Sequence, residues 1–355
     1  MAQAVRARRT ARSTFRRGGP SLLGPALVCA LALLAGCSDS PDSPDSTGPG
    51  RDGAPTGGQR PGGEAEVTRF ASANPGSVNT YRIPAKGGVI VVDTLRTTGD
   101  ARRAVAEIKR SGEPVVAVLL THSHPDHVGG AGVFHEAFPK APLYASTATQ
   151  TMIRTDPRGF YPLTRSLPGS DFPARLTHPD RTFKPGETLE IGGVRLETAE
   201  YEEGESDVAT VYYAPATGAL FSGDIVGNRV TPALLEGHSC GWLENLERLG
   251  TRFPDATHLY PGHGAPGDPD RLMDEQRTYL QRFRALVRTA VAADSPGGAK
   301  VTTAERDRIV AKTERSYPGH PSVASLPTMM EENVKGVARE IGAEDPGTLP
   351  AVCGR

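Results

Sequence analysis

The stretch Thr121–Gly130, THSHPDHVGG, places three histidines and one aspartate within a span of six residues. It follows the apolar run PVVAVLL, which predicts a strand buried on both faces. The polar cluster therefore lies at the C-terminal end of a buried strand. Ordering so many imidazoles has an entropic cost that only a bound partner offsets, so the stretch predicts a metal site in a layered α/β protein.

The spacing of the cluster suggests two ligand pairs. His122 and His124 alternate along an extended segment and point the same way, so they can bind one ion, while Asp126 and His127 follow at a turn and can bind a second. Imidazole suits zinc, iron or manganese, and carboxylate favours the harder metals.

Two further candidate ligands occur at the ends of other predicted strands. Asp224 ends the run GALFSGD, and His263 lies in LYPGHG. Taken singly, Asp224 could cap the following segment and His263 could be an ordinary turn histidine. Together with the cluster they predict a metal site assembled from several loops at one edge of the fold.

In their order and separations these residues resemble the metallo-β-lactamase superfamily of metal-dependent hydrolases, over roughly residues 67 to 265. The resemblance implies a four-layer αββα sandwich with the metals at one edge of the two sheets. The ligands that it implies are His122 and His124 with a further histidine for the first metal, Asp126, His127 and His263 for the second, and Asp224 between them.

The further histidine of that family pattern is missing here. The family carries it in a Gly-His turn about twenty residues before the bridging aspartate, where this chain reads YEEGESDVATVYY. Glu205 is the preferred replacement; Glu203 or Asp207 could serve instead, or the position could be empty. A carboxylate there adds negative charge, weakens the pull of the metal on bound water and loosens the preference for zinc. Zinc is still expected first, with iron or manganese as alternatives.

The resemblance implies a metal-dependent hydrolase for a small-molecule substrate. A hydroxide held by one or two divalent metal ions would attack an ester, lactone, amide, thioester or phosphoester, with Asp126 positioning the water. An iron-dependent oxygenase or redox enzyme on the same fold and a non-catalytic metal- or ligand-binding surface lipoprotein are the alternatives. His238, between two ligand-bearing segments, is a candidate to contact either the substrate or a metal ligand.

The first 36 residues are typical of a bacterial lipoprotein signal peptide. An arginine-rich stretch without acidic residues precedes an apolar run too short to span a membrane comfortably. That run ends in Leu34-Ala35-Gly36-Cys37, which resembles a lipobox, so Cys37 is expected to carry the lipid; an ordinary cleaved signal is the alternative. The sequence thus predicts an extracytoplasmic protein anchored to the membrane.

Residues 37–66 are rich in Ser, Asp, Pro and Gly and predict a disordered tether. A metallo-β-lactamase-like domain is then expected over residues 67–268, followed by a helical extension over 269–355 packed on it. Within the domain, Asp100 is expected to cap a helix, and residues 150–172 show no clear element and suggest a lid or substrate loop.

The charge balance argues against nucleic acid as a partner. The 40 basic and 41 acidic residues leave a net charge of −1, so no field of one sign attracts a polyanion. Of the four cysteines, Cys240 and Cys353 remain in the folded part. A disulfide between them suits an oxidising compartment, but the sequence does not determine whether they pair.

Overall fold

The structure of the protein, a computed structural model, describes residues 66–293, 301–323, 326–345 and 347–354. The predicted signal peptide, Cys37 and all but the last residue of the predicted tether lie outside the described residues. Within them, no helix combines the length and the apolar character that crossing a membrane requires.

Two sheets form the centre of the described domain. The first has six strands in chain order, with antiparallel pairing among the first three and parallel pairing thereafter. Its strands are β1 (Thr68–Ala71), β2 (Asn79–Ala85), β3 (Gly88–Val92), β4 (Val115–Leu119), β5 (Leu143–Ser146) and β6 (Arg181–Phe183).

The second sheet has five strands, also in chain order, and is antiparallel except for its last pair, which is parallel. Its strands are β7 (Thr188–Ile191), β8 (Val194–Glu202), β9 (Val208–Ala214), β10 (Ala219–Gly223) and β11 (His258–Pro261).

Helices cover the outer face of each sheet. They are α1 (Thr98–Ser111), α2 (Pro125–Val128), α3 (Ala131–Ala137), α4 (Thr147–Thr155), α5 (Phe160–Ser166), α6 (Ser239–Arg252), α7 (Pro269–Ala293), α8 (Thr303–Ser316) and α9 (Met329–Ala343).

The period-two alternation of the strands creates the layers. On β3, Ile90 packs between the two sheets while Val91 packs under the helices of the first sheet. On β9, Tyr212 packs between the sheets while Val211 packs under Trp242 and the other helical residues of the second sheet. Because three apolar layers alternate with the two sheets, the arrangement is the predicted αββα sandwich.

Two local expectations need correction. Helix α1 begins after Thr97, whose side chain accepts a hydrogen bond from the Asp100 backbone N–H, so Asp100 lies in the first turn and is not the cap. Residues 150–172 are not a structureless loop, since α4 continues to Thr155 and α5 follows it. Helix α5 is tied to the histidine cluster, because the Tyr161 hydroxyl donates to the Ser123 carbonyl at 2.7 Å.

The C-terminal helices pack on the outer face of the second sheet. Val287 of α7 and Val334 of α9 are fully buried in the same apolar cluster as Trp242 of α6. Cys240 at the start of α6 and Cys353 near the C-terminus form a disulfide, with their Cα atoms 5.2 Å apart. This pairing, which the sequence left open, joins the last described residues to the domain.

Candidate metal centre

Four chain segments bring the candidate ligands to one edge of the sandwich. The histidine cluster follows β4, Asp224 follows β10, and His263 follows β11, each at the C-terminal end of its strand. Glu205 lies in the turn between β8 and β9. The two sheets are joined here by a backbone hydrogen bond of 2.8 Å from the Thr210 N–H to the Thr121 carbonyl.

One group of candidate ligands consists of His122, His124 and Glu205, all buried. The two carboxylate oxygens of Glu205 face different imidazoles: Oε1 lies 3.0 Å from His124 Nδ1, and Oε2 lies 3.5 Å from His122 Nε2. These separations fit ligands that share one ion at about 2.0–2.2 Å from each.

A second group consists of Asp126, His127 and His263, also buried. His263 Nε2 lies 3.3 Å from Asp126 Oδ2. Asp224 lies between the two groups: its Oδ1 is 3.2 Å from His127 Nε2, and its Oδ2 is 3.1 Å from His263 Nε2. Asp224 also forms a third buried group, with His122 and His127.

Five of the atoms that face one another in these groups have no hydrogen-bond partner, although they are buried. Such orphaned polar atoms are rare in folded proteins and here converge on two neighbouring points, which fits one or two cations. They are His122 Nε2, His127 Nε2, Glu205 Oε2, Asp224 Oδ1 and His263 Nε2.

Burial and mutual charge shift the pKa of each group. Burial raises the pKa of Glu205 to about 7, against the opposing effect of His124. Burial, with His127 and His124 beside it, holds the pKa of His122 well below its usual range. Burial disfavours the charged form of His263, but Asp224 and Asp126 outweigh it and raise the pKa to about 10. Since metal ligands bind without their protons, protons and cations compete for this site.

A second layer of carboxylates holds the imidazoles. Asp93 Oδ2 lies 2.8 Å from His127 Nδ1 and accepts a hydrogen bond from the Thr121 hydroxyl at the same distance. Glu236 Oε1 lies 2.8 Å from His124 Nε2. Partners of this kind fix the orientation of metal-binding histidines.

Sequence reasoning missed both of these carboxylates. Asp93 directly follows the buried strand β3, the neighbour of β4, and that position was a usable signal. Glu236 lies in a loop without periodicity, and no pattern marks it.

The other sequence candidates lie outside the candidate centre. Glu203 is exposed, and Asp207 forms an ion pair with Arg158. His238 immediately precedes α6, where its Nε2 is 3.4 Å from Arg158 Nη2, and it does not line the cavity that adjoins the centre. Of the three acidic residues considered for the missing histidine position, Glu205 is the one that meets His122 and His124.

Two glycines permit the close approach of chain segments around the centre. A Cβ atom on Gly262 would lie 1.8 Å from Asp224 Oδ1, and one on Gly130 would lie 1.9 Å from the Thr94 carbonyl oxygen. Neither contact is sterically tolerable, so the glycines of PGHG and HVGG are required by packing.

Comparison with known proteins identifies relatives of the described domain. A family model described as the metallo-beta-lactamase superfamily matches residues 73–301. A hydroxyacylglutathione hydrolase from Synechococcus sp. (strain JA-2-3B'a(2-13)) is 28% identical over 163 residues, which cover 46% of this chain and 55% of that protein. A hydroxyacylglutathione hydrolase from Alkalilimnicola ehrlichii is 32% identical over 227 residues, covering 54% of this chain and 78% of that protein.

Among solved structures, a beta-lactamase domain protein from Burkholderia ambifaria matches with a TM-score of 0.59 at 19% identity, covering 77% of this chain and 85% of that chain. This similarity concerns the fold. The chain spans only 55–60% of the length of the first three curated relatives that it matches.

Proposed function

The chain belongs to the metallo-beta-lactamase superfamily, and from that premise we propose that it is a metal-dependent hydrolase of an ester, lactone, amide, thioester or phosphoester. The observation that carries the proposal is the convergence of buried, unpartnered nitrogen and oxygen atoms at the edge shared by the two sheets. A fold alone does not define an activity, so the proposal rests on this site.

The residues present fit two neighbouring divalent ions. His122, His124 and Glu205 would hold the first, and Asp126, His127 and His263 would hold the second, with Asp224 facing both. A bound divalent metal supplies Lewis acidity, which lowers the pKa of water and polarises the scissile oxygen.

The side chains of the protein would orient the reactants. Asp126 lines the adjoining cavity, so its carboxylate can accept a hydrogen bond from the attacking water and fix the direction of attack. Asp93 and Glu236 hold the imidazoles from behind and keep their other nitrogens turned to the centre.

Glu205 sets the expected metal preference. A carboxylate in place of a neutral imidazole brings a third negative charge beside Asp126 and Asp224, which lowers the Lewis acidity of the bound metal and favours harder ions. Zinc remains the first expectation, and iron or manganese are the alternatives. Because two relatives are hydroxyacylglutathione hydrolases, a hydroxyacylglutathione thioester belongs in any substrate panel.

Elemental analysis of the purified protein, combined with a panel of esters, lactones, thioesters and phosphoesters, tests the proposal. We expect one or two equivalents of zinc or manganese and hydrolysis of at least one class. One iron with oxygen consumption would favour the oxygenase, metal without turnover would favour a binding protein, and no metal above background would overturn the proposal.

The variant Glu205→Gln tests the ligand assignment. It preserves the shape of the side chain but removes its charge, so we expect the metal content to fall by one equivalent, or the affinity to fall by more than about a hundredfold. Glu203→Gln removes one charge from the exposed part of the same turn and should retain full metal content. Equal metal content together with equal metal affinity in the two variants would exclude Glu205 as a ligand.

We also propose that the protein is lipid-anchored outside the cytoplasm through Cys37. The lipobox-like sequence supports this, and the Cys240–Cys353 disulfide supports an oxidising compartment. When expressing cells are supplied with a labelled fatty acid, the unsubstituted protein should carry the label, and replacing Cys37 by Ser should abolish it. Label that persists in the variant would contradict acylation at this residue.

A further inference from the structure

A cavity of about 410 Å³ adjoins the candidate metal centre, and four candidate ligands line it. This volume lies within the range of small-molecule sites, roughly 300–1,000 Å³. The contributing ligands are His124, Asp126, Glu205 and Asp224. Any molecule in the cavity therefore lies beside the reactive groups of the proposed function.

The rest of the wall is predominantly apolar. Apart from the candidate ligands, Arg96 and Glu332 are the charged residues that line it. One side is formed by α5 and the other by the loop before α6 together with the segment that begins α9. The large apolar side chains of the wall are Phe160, Leu163, Leu167, Leu235, Leu326 and Met329.

Both apolar sides are fixed by packing. The Phe160 ring meets the His124 ring at 5.4 Å between centroids, which joins α5 to the centre. Met329 is buried in a small cluster with Val230 and Ala233 that also contacts Leu235. This second side depends on the chain beyond residue 301, C-terminal to the part shared with the family.

Leu163 is the side chain that this arrangement leaves to solvent. It is 51% exposed, and among the described residues it is the one large hydrophobic side chain with that degree of exposure. An apolar ligand that covers this leucine would remove its apolar surface from water, which favours binding.

We propose that this cavity binds a linear apolar chain of the substrate, so that the chain lies between α5 and the start of α9 while the scissile bond lies over the candidate metal centre. The inference rests on the proposed hydrolase function and narrows its substrates to acyl or alkyl derivatives. A substrate whose bulk is charged or strongly polar would leave the apolar wall without a partner and would lose its own hydration.

Graded p-nitrophenyl esters, from acetate to octanoate, test the chain-length preference on the metal-loaded full-length protein. We expect kcat/KM to rise about fourfold for each methylene that enters the cavity and then to level off. A matched series of acyl thioesters, alkyl sulfates and alkyl phosphates identifies which head group is cleaved. Hydrolysis of esters with no dependence on chain length would overturn the inference and leave the proposed function standing.

Binding of 1-alkanols from butanol to octanol, measured by calorimetry, tests the cavity without any turnover. The full chain carrying Cys37→Ser avoids detergent in this measurement. We expect affinity to increase with chain length. If the alkanols bind in this way but no member of the ester and head-group series is cleaved, the hydrolase function fails and only the apolar binding site remains. If affinity does not change with length, the inference fails.

The substitution Leu163→Asn tests whether the apolar chain of the substrate contacts α5. We expect it to reduce the octanoate-to-acetate ratio of kcat/KM and the affinity for octanol by about tenfold, at unchanged metal content. Ser166→Asn is the matched control, because Ser166 is exposed on the same helix and does not line the cavity. A chain-length dependence that is the same in both variants would contradict the proposed position of the chain.

Discussion

Glu236 connects the candidate ligand His124 to Arg158 outside the centre. Its Oε1 is 2.8 Å from His124 Nε2, and its Oε2 forms an ion pair of 2.9 Å with Arg158 Nε. The imidazole of His124 is therefore held with Nδ1 towards Glu205. Carboxylates in this position raise the basicity of a ligating histidine and fix its ring.

We expect Glu236→Gln to weaken metal binding about tenfold to a hundredfold, because an amide can still meet His124 but lacks the charge that strengthens the ligand. Competition with a chromogenic chelator measures the affinity. Glu244→Gln is the control, since Glu244 is exposed on α6. A dissociation constant within twofold of that of the unsubstituted protein would mean that packing alone orients the ring.

The substitution Gly262→Ala tests whether metal binding depends on the position of the Asp224 carboxylate. The added methyl group of Gly262→Ala would overlap Asp224 Oδ1 at 1.8 Å, so the carboxylate must move away from His127 and His263. We expect loss of metal, measured by elemental analysis, with the helical circular dichroism retained.

The control for this change is a glycine that has room for a methyl group. Gly250 lies within α6, and its Cβ would make an ordinary contact of 3.7 Å with Met273 Cε. Gly250→Ala should leave the metal content unchanged and stabilise the protein by about 0.5–1 kcal/mol. Full metal occupancy in Gly262→Ala would show that the centre does not need Asp224 in this position.

At the scale of elements, the start of α6 depends on α7 and α9. Glu340 of α9 accepts hydrogen bonds from the backbone N–H groups of Ser239 and Cys240 at 2.9 and 2.7 Å, and thereby caps α6. Arg284 of α7 is buried and pairs with both Glu340 and Glu344. The three helices are thus joined by one ionic cluster beside the disulfide.

Removing the cation of this cluster should be costly. We expect Arg284→Met to lower the free energy of unfolding by about 3–5 kcal/mol, because the largely buried Glu340 would lose its cation and Glu344 would keep Arg288 alone. Denaturation by guanidinium chloride measures the difference. Arg282→Met, at an exposed position of the same helix, should change stability by less than about 0.5 kcal/mol; similar losses in both variants would contradict a specific role of the cluster.

The elements also show what the sequence could predict. Buried strands are encoded by local apolar runs, so β4 and the polar cluster after it could be placed, whereas the four-layer sandwich was implied by the family resemblance. The short helix α5 could not, because its position depends on distant contacts such as Tyr161 with Ser123. Glu236 was missed for the same reason: its partner His124 is 112 residues away, and no local pattern carries that distance.

At the scale of the whole molecule, the candidate centre joins the two sheets. His122, His124, Asp126 and His127 follow a strand of the first sheet, whereas Glu205, Asp224 and His263 follow strands of the second. A cation bound here would therefore couple the halves of the sandwich, and its binding free energy would add to the stability of the fold.

Buried tyrosines make the stability of the whole molecule sensitive to alkaline pH. Burial raises the pKa of Tyr81, Tyr212 and Tyr279 well above the usual range. Burial also raises the pKa of Tyr201 to about 12, although Arg248 and Arg252 act in the opposite direction. Above about pH 10 the unfolded chain loses these protons while the folded protein keeps them.

Below about pH 10 these tyrosines should therefore leave the free energy of unfolding unchanged. As the pH rises from 10 towards 12 the free energy of unfolding should fall, because a raised pKa means that only the unfolded state ionises in that interval. One tyrosine contributes a slope of about 1.4 kcal/mol per pH unit. Tyr201→Phe has no proton to lose, so its stability should decline less steeply when denaturation is measured at pH 10, 10.5 and 11, by about half of that slope at pH 10 and by most of it at pH 11. Between pH 7 and 9 the two proteins should show parallel profiles, which separates ionisation from any packing change. Parallel profiles above pH 10 as well would mean that the Tyr201 hydroxyl ionises as easily in the folded protein as in water, and that the layer between α6 and the second sheet is hydrated.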